Sequence, residues 1–176
     1  MNFISERNRE MHGEYFNALK LKYRIFEKSY QELCGADLKG VLRARIPLGE
    51  RENAAKLYSE ILAHKIFFES FGERNTKSER IKREYGSVSS FLFEIFSKAK
   101  DSDCGFLFIY EDGGGIAYSF ESDLVGFFRK RMPTLALDLF EHSYFYDYGF
   151  KKEDYIMNAI SYLDLTKLDN NEKSHF

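Results

Sequence analysis

The chain has 176 residues, of which 44% are hydrophobic and 17% aromatic, and its formal net charge is −2. This length is enough for one sizeable core or two small subdomains that share a cleft, and the composition excludes an intrinsically disordered chain. The near-neutral charge argues against a nucleic-acid partner, which requires a concentrated basic surface.

No targeting or membrane segment is expected. The first ten residues alternate in charge and contain no apolar run like that of a secretory signal. No stretch approaches about 18 uncharged apolar residues, the length that predicts a transmembrane helix. Cys34 and Cys104 follow no metal or redox spacing, so we expect free thiols in a reducing compartment rather than a disulfide. We therefore expect a cytoplasmic protein without membrane contact.

Two long amphipathic helices are predicted in the first part of the chain. Over His12–Tyr30, apolar residues recur every three or four positions, which marks one face of a helix. A second helix is predicted over Glu52–Phe71, with His64 on its apolar face and Gly72 as its stop. Glycines and a proline within Gly35–Gly49 indicate turns between the two. Together they predict an antiparallel helical hairpin with one histidine on each apolar face.

The second part of the chain mixes helices and strands. Glu73–Lys82 is highly charged and predicts a connector, and Tyr85–Lys100 predicts a third amphipathic helix. Strands are predicted over Cys104–Tyr110 and Ile116–Phe120. The sequence E-D-G-G-G between them is typical of a tight hairpin turn.

The last elements complete an α+β fold. A third strand is predicted over Thr134–Asp138 and a last helix over Lys152–Leu163, whereas Asp164–Phe176 is mostly polar and expected to fray. The basic cluster Arg129–Arg131 is interpreted as a solvated loop. We predict an N-terminal antiparallel helical hairpin followed by a three-stranded antiparallel sheet flanked by helices. The corresponding units are residues 1–74, residues 83–168 and a polar tail, 169–176.

One motif carries metal-binding chemistry. Asp138 and His142 lie four residues apart in D-L-F-E-H, and His12 and His64 lie in apolar-periodic segments, while His175, the fourth histidine, is in the tail. Three histidines and an aspartate suit redox-active iron or manganese better than structural zinc. Taken singly, each has an ordinary explanation, since a histidine on an apolar helix face is usually a core residue and an aspartate at a strand end is usually a cap or a turn residue.

Five segments, in this order, resemble the iron/manganese superoxide dismutases. Ile4–His12 resembles the segment leading to that family's first histidine ligand, and Asn53–Phe68 is similar to its second helix, which carries the second. Tyr85–Phe91 resembles the opening of the next helix, and Cys104–Ile109 resembles the family's G-W-x-W-L strand. The strongest match is Asp138–Phe145, which reads D-L-F-E-H-S-Y-F against the family pattern D-x-W-E-H-x-Y-Y.

The resemblance implies a function and a ligand set. It implies that one iron or manganese ion per subunit is held by four side chains, namely His12, His64, Asp138 and His142. The substrate would be superoxide, converted to dioxygen and hydrogen peroxide as the metal alternates between its +3 and +2 states. Glu141 matches a glutamate that bridges to the other subunit and hydrogen-bonds a ligand histidine, so the resemblance also implies a homodimer.

The chain departs from the family around the ligands. It has no tryptophan, and phenylalanine stands at the family's tryptophan positions, namely Phe68, Phe106, Phe108 and Phe140. An apolar wall survives this exchange, but the indole N–H donors do not. Phe16 replaces a histidine and Phe145 a tyrosine, so the usual route for proton delivery is missing or rebuilt. Lys20 takes the place of the gateway tyrosine, where it either attracts the superoxide anion or points to solvent.

The glutamine that contacts metal-bound solvent in the family is also absent. Glu60 stands at its position in the second helix, and Ser122 stands at the alternative position in the sheet. Glu60 and His64 are four residues apart on one helix and share a face. Unless it is held protonated, Glu60 would accept a hydrogen bond from solvent instead of donating one. We therefore expect it to stabilise the oxidised metal and to lower the reduction potential.

Two other functions stay open from sequence alone. A protein of this fold can bind a metal yet carry out different chemistry, such as oxygen-dependent oxidation or zinc-type hydrolysis, and the many changes around the ligands motivate that alternative. A structural or assembly subunit that lost catalysis is the other, and the complete ligand set argues against it. The choice between iron and manganese depends on residues that have changed here, so the sequence does not make it.

Overall fold

Helices surround a small central sheet in the computed structural model, which describes residues 3–74 and 77–170. In chain order the elements are α1 (Glu6–Ser29), α2 (Leu38–Arg43), α3 (Leu48–Glu69), α4 (Glu79–Tyr85), α5 (Val88–Ala99), β1 (Phe106–Asp112), β2 (Gly115–Glu121), α6 (Leu124–Phe128), β3 (Leu135–Asp138), α7 (Glu141–Tyr148), α8 (Lys152–Ile160) and α9 (Thr166–Asn170). None of the helices within these ranges has the length and apolar character needed to cross a membrane. Both cysteines, Cys34 and Cys104, are free thiols.

The first long helices form the predicted antiparallel hairpin. α1 and α3 pack against each other, and His12 near the start of α1 meets His64 near the end of α3, so the two helices run in opposite directions. α3 contributes small residues to the buried face, which lets the helix axes approach closely. The buried apolar residues of the two helices are Leu19, Tyr23, Ala54, Ala55, Ala63, Ile66 and Phe67.

Three features of this half differ from prediction, namely the starts of α1 and α3 and the presence of α2. α1 begins at Glu6, before the apolar periodicity starts, since the Ser5 hydroxyl accepts the N–H of Asn8 at 3.1 Å. The region Gly35–Gly49, predicted as turns, contains α2, where Asp37 accepts the N–H of Gly40 at 2.8 Å. α3 begins at Leu48, four residues earlier than predicted, directly after Pro47, which makes no side-chain capping bond.

The prediction of a connector followed by one helix was wrong in detail. Within the predicted connector Glu73–Lys82, α4 begins at residue 79, capped by the hydroxyl of Ser78. The predicted helix Tyr85–Lys100 corresponds to α5, which begins three residues later than predicted, because Gly86 ends α4 with a φ of +79° and Ser87 caps α5. Part of this charged stretch therefore forms a short helix and not a connector.

The three strands form an antiparallel sheet in the order β2-β1-β3. Gly113 and Gly114 connect β1 to β2 with φ values of 60° and 86°, as a tight two-residue hairpin turn requires. In the register of β1 with β3, Phe106 lies opposite Asp138. The last residue of β3 is thereby held against the apolar start of β1. The α+β architecture predicted from the sequence is confirmed.

The C-terminal segment packs back onto the helical hairpin. The N–H of Gly72 donates to the carbonyl of Tyr162 at 2.9 Å, and the N–H of Asp164 donates to the carbonyl of Ser70 at 2.8 Å. The prediction that the polar tail frays was wrong for residues 164–170, because α9 forms there and Leu165 and Leu168 are buried. Residues 171–176 lie outside the described residues. The division into units 1–74 and 83–168 stays a prediction.

Candidate metal centre

Four side chains from three separate parts of the chain meet at one buried point. The Nε2 atoms of His12, His64 and His142 lie 3.2, 3.4 and 3.0 Å from Oδ2 of Asp138. His64 and His142 approach each other at 3.4 Å between their Nε2 atoms. Asp138 is 0% exposed, and His12 and His64 are each 1% exposed. The four residues singled out in the sequence are thus brought together.

The chain fixes Asp138 so that one carboxylate oxygen stays available. Its Oδ1 accepts the N–H of Phe140 at 2.9 Å, and its main-chain carbonyl accepts the hydroxyls of Tyr155 at 2.7 Å and Ser143 at 3.1 Å. The Asp138 side chain thus stabilises the turn that leads into α7, as an isolated aspartate here could, and still directs Oδ2 at the three histidines. α7 begins three residues after it, which places His142 in the first helical turn.

The other two histidines are oriented by helix contacts. His64 donates through Nδ1 to the main-chain carbonyl of Glu60 at 2.8 Å, which leaves Nε2 with its lone pair toward Asp138. α1, which carries His12, is joined to α7 by the fully buried Asn8, whose amide donates to the carbonyl of Ser143 at 3.0 Å. The hydrogen bond from Asn8 thereby fixes the first histidine relative to the third.

Aromatic rings enclose the cluster. Phe67 stacks on His12 with ring centroids 4.7 Å apart, and Phe68 lies 5.1 Å from the same ring. Phe106 meets the His64 ring edge-on at 5.4 Å, and Phe140 stacks beside His142 at 5.7 Å. Phe108, also predicted in this wall, lies behind Phe106 at 5.5 Å. The predicted apolar wall is present, and it provides no hydrogen-bond donor.

Burial and mutual interaction set the charge state of the cluster. Burial would raise the pKa of Asp138, but the three imidazoles hold it well below its usual range. Burial lowers the pKa of His12, and Asp138 offsets this only in part. At His64, burial is outweighed by Asp138 and by the carbonyl of Glu60, so the pKa is raised. The site is an ionised carboxylate facing imidazole nitrogens, which a bound cation would complete.

The geometry fits a metal ion. Ligand atoms at about 2.1 Å from a metal and separated by 90–120° lie about 3.0–3.6 Å apart, and the four distances given above fall in that range. All four candidate ligand atoms lie within 4.8 Å of one another. Asp138 Oδ2 and His12 Nε2 are buried without a hydrogen-bond partner among the described residues. Buried polar atoms left in this way are expected where an ion binds.

The other predicted site residues lie around the cluster. Glu60 is one turn from His64, and its charge contributes to raising the pKa of that histidine. Glu60 and Ser122 line the same cleft of about 290 Å³ between α3 and α6. Lys20 sits over the ring of Phe16 at 4.4 Å, and that ring is stacked 6.3 Å from His64. Glu141 is exposed at the start of α7 and makes no contact with its own cluster among the described residues.

Tyr15 is a site residue that the sequence analysis missed. Its ring lies 4.5 Å from His142 and 5.4 Å from His64, between centroids, and burial together with Glu60 and Asp138 raises its pKa. It lines an opening of about 330 Å³ that leads to the cluster. Tyr15 follows His12 by three residues and therefore shares its helix face, which was the available signal.

The comparisons with known proteins agree with this geometry. Residues 73–171, more than half of the chain, match the family model for the iron/manganese superoxide dismutases, C-terminal domain. A curated relative, a superoxide dismutase (Fe) of Cupriavidus metallidurans, is 30% identical over 115 residues, which cover 61% of this chain and 58% of the relative. The chain thus spans less than two thirds of that relative's length. Since the family model covers most of the C-terminal half, including Asp138 and His142, the chain belongs to the iron/manganese superoxide dismutase family.

Proposed function

We propose that this protein is a superoxide dismutase that holds one iron or manganese ion between His12, His64, Asp138 and His142. The observation that carries the proposal is the convergence of three imidazole nitrogens and one buried carboxylate oxygen. Membership of the family and the name of the curated relative, superoxide dismutase (Fe), support the same reaction. That name favours iron over manganese.

The residues have distinct roles in this proposal. When bound, the metal would supply one-electron chemistry for the conversion of two superoxide ions and two protons from solvent into dioxygen and hydrogen peroxide. The single carboxylate of Asp138 and the neutral imidazoles limit the charge of the ligand set, so that both oxidation states are accessible. The rings of Phe67, Phe68 and Phe106 exclude bulk water from the buried side, while the opening beside Tyr15 admits a small anion.

The proposal predicts that metal content and superoxide consumption are lost together when a ligand is removed. Loss of a residue that hydrogen-bonds a metal ligand typically weakens metal binding about 10–100-fold, and loss of a ligand itself should weaken it at least as much. We expect His64→Ala to lose most of its metal, measured by elemental analysis, and its catalysis, measured by stopped-flow decay of superoxide. His175→Ala, which removes the histidine outside the described residues, is the control and should keep both.

Two results would contradict the proposal in different ways. Bound iron or manganese without superoxide turnover would indicate a family member with other chemistry. Purified protein that takes up neither metal under loading conditions would indicate a subunit without catalysis.

We also propose that Glu60 lowers the reduction potential of the site. A negative charge favours the higher positive charge of an oxidised metal ion, and the charge of Glu60 already acts on both His64 and Tyr15. Charges about 8 Å apart at an effective dielectric constant of about 20 interact by about 2 kcal/mol. For a one-electron couple this corresponds to roughly 90 mV.

We predict that Glu60→Gln raises the reduction potential by about 90 mV, within a factor of two. Redox titration of the metal-loaded protein, followed by its visible absorption, measures the shift. Glu52→Gln is the matched control, because Glu52 lies on the same helix two turns further from His64 and lines the same cleft. Its shift should be less than half as large. An unchanged potential in Glu60→Gln would remove Glu60 from the mechanism.

Lys20 is proposed to attract superoxide toward the opening. Its ammonium group lies over Phe16, one ring away from His64. We predict that Lys20→Met lowers the second-order rate constant about two- to fivefold at low ionic strength, and that added salt erases the difference. Lys22→Met, at an exposed position on the same helix, is the control and should change the rate less than Lys20→Met does. Equal rate constants for both variants at low salt would show that Lys20 has no specific role in attracting superoxide and simply points to solvent.

We further propose that a second copy of the chain packs against the rim of this opening and leaves a passage for the small superoxide anion. Apolar side chains are exposed around the opening, namely Met11, Tyr15, Phe140, Phe145, Tyr146 and Phe150. Phe150 is 92% exposed and packs only its edge against Phe145, at 5.3 Å between centroids. Such a patch is typical of a protein–protein contact. Nδ1 of His142 has no hydrogen-bond acceptor among the described residues, and Glu141 from a second copy would supply one.

This proposal predicts a dimer whose stability depends on Phe150. Phe150→Glu should elute as a monomer in size-exclusion chromatography with light scattering, because it buries a charge in the contact. Phe93→Glu is the matched control, since Phe93 is 71% exposed on α5, in a different helix, and should leave the dimer intact. Glu141→Gln should stay dimeric but bind metal about tenfold more weakly. A wild-type protein that is monomeric at micromolar concentration would refute the dimer.

A further inference from the structure

A second cleft, separate from the metal centre, lies between α2, α3 and α6. Its volume is about 600 Å³, within the range of pockets that bind small organic molecules. Its lining combines apolar and aromatic side chains with a basic rim. The side chains that matter are Tyr58, Leu62 and Phe128 in the lining and Lys39, Arg43 and Arg129 at the rim. None of them belongs to the metal centre.

The positive charge of the basic rim is compensated only in part. Within residues 3–74 and 77–170, Lys39, Arg43 and Arg129 form no ion pair, although the neighbouring Arg131 pairs with Asp112 at 2.9 Å. The one carboxylate in the cleft, that of Asp37, already accepts the N–H of Gly40 at 2.8 Å as the cap of α2. Two positive charges are therefore left over around one cavity, in a chain whose net charge is −2.

Helix electrostatics explain only part of this arrangement. Arg43 lies in the last turn of α2 and Arg129 is the C-cap residue of α6, where a cation is favourable. Lys39 instead lies in the first turn of α2, where a cation is unfavourable. A role in binding accounts for all three positions, because they face the same cavity from two different elements.

The chemistry of the cleft points to its ligand. We propose that it binds a phosphate monoester with an aromatic body, of the nucleoside monophosphate class. Such a phosphate carries about −1.5 to −2 charge at pH 7, which matches the two uncompensated positive charges. Arginine guanidinium groups bind phosphate oxygens in a bidentate manner. The faces of Tyr58 and Phe128 and the side chain of Leu62 supply the apolar contact for a base.

Calorimetric titration of the metal-loaded protein with adenosine 5′-monophosphate at low ionic strength tests the proposal. We expect a dissociation constant below about 1 mM. Adenosine alone and inorganic phosphate should each bind at least about tenfold more weakly, because adenosine lacks the phosphate that contacts the basic rim and inorganic phosphate lacks the base that contacts the apolar lining. The double variant Arg43→Gln/Arg129→Gln should also bind at least about tenfold more weakly. All the substituted residues are exposed, and circular dichroism confirms that the variants fold.

A control variant with the same change in charge distinguishes binding in the cleft from general electrostatic attraction to a positive surface. Arg24→Gln/Arg45→Gln removes two exposed arginines outside the cleft and should bind the nucleotide within about twofold of the unsubstituted protein. Equal weakening in both double variants would overturn the proposal, because any positive surface would then suffice. Inorganic phosphate binding as tightly as the nucleotide would overturn it too, and so would the absence of binding at about 10 mM.

Discussion

The fully buried carboxylate of Asp138 is the charge around which the site is built. Removing an ion from water costs several kcal/mol unless charges or hydrogen bonds compensate it. Oδ1 accepts a hydrogen bond from Phe140, and the main-chain carbonyl accepts hydrogen bonds from Ser143 and from Tyr155 of α8. Oδ2, in contrast, faces only imidazole nitrogens. Neutral imidazoles alone do not neutralise a carboxylate. A cation at the meeting point resolves this imbalance, which is why the geometry argues for metal binding.

The rest of the fold serves to hold that meeting point. The start of α1 and the end of α3 each deliver one histidine because the helices are antiparallel. The register of β1 with β3 places Asp138 against Phe106, and the turn into α7 delivers His142. Asn8 and the pairing of residues 70–72 with the segment after α8 join the two halves. The candidate metal centre therefore also lies where the N-terminal and C-terminal halves of the chain contact each other.

Local patterns predicted the elements that are long and periodic, and missed those set by caps. The helical hairpin, the glycine hairpin turn and the four convergent side chains followed from spacing and from family resemblance. α2 and α6 were missed because they are short and are started by the N-cap residues Asp37 and Asp123, whose capping bonds leave no periodic signal. α7 was missed because it has only eight residues and its N-cap residue, Phe140, makes no side-chain capping bond. Tyr15 was missed because the family has its functional tyrosine elsewhere, although helix geometry places it beside His12.

Anomalous X-ray diffraction from crystals of the native protein, recorded on both sides of the iron and manganese absorption edges, tests the central claim most directly. The account predicts one strong peak per subunit, about 2.1 Å from Nε2 of His12, His64 and His142 and from Oδ2 of Asp138. The edge at which the peak appears would identify the metal. A peak elsewhere, or a fully ordered cluster with only a proton or water between these atoms, would contradict the account.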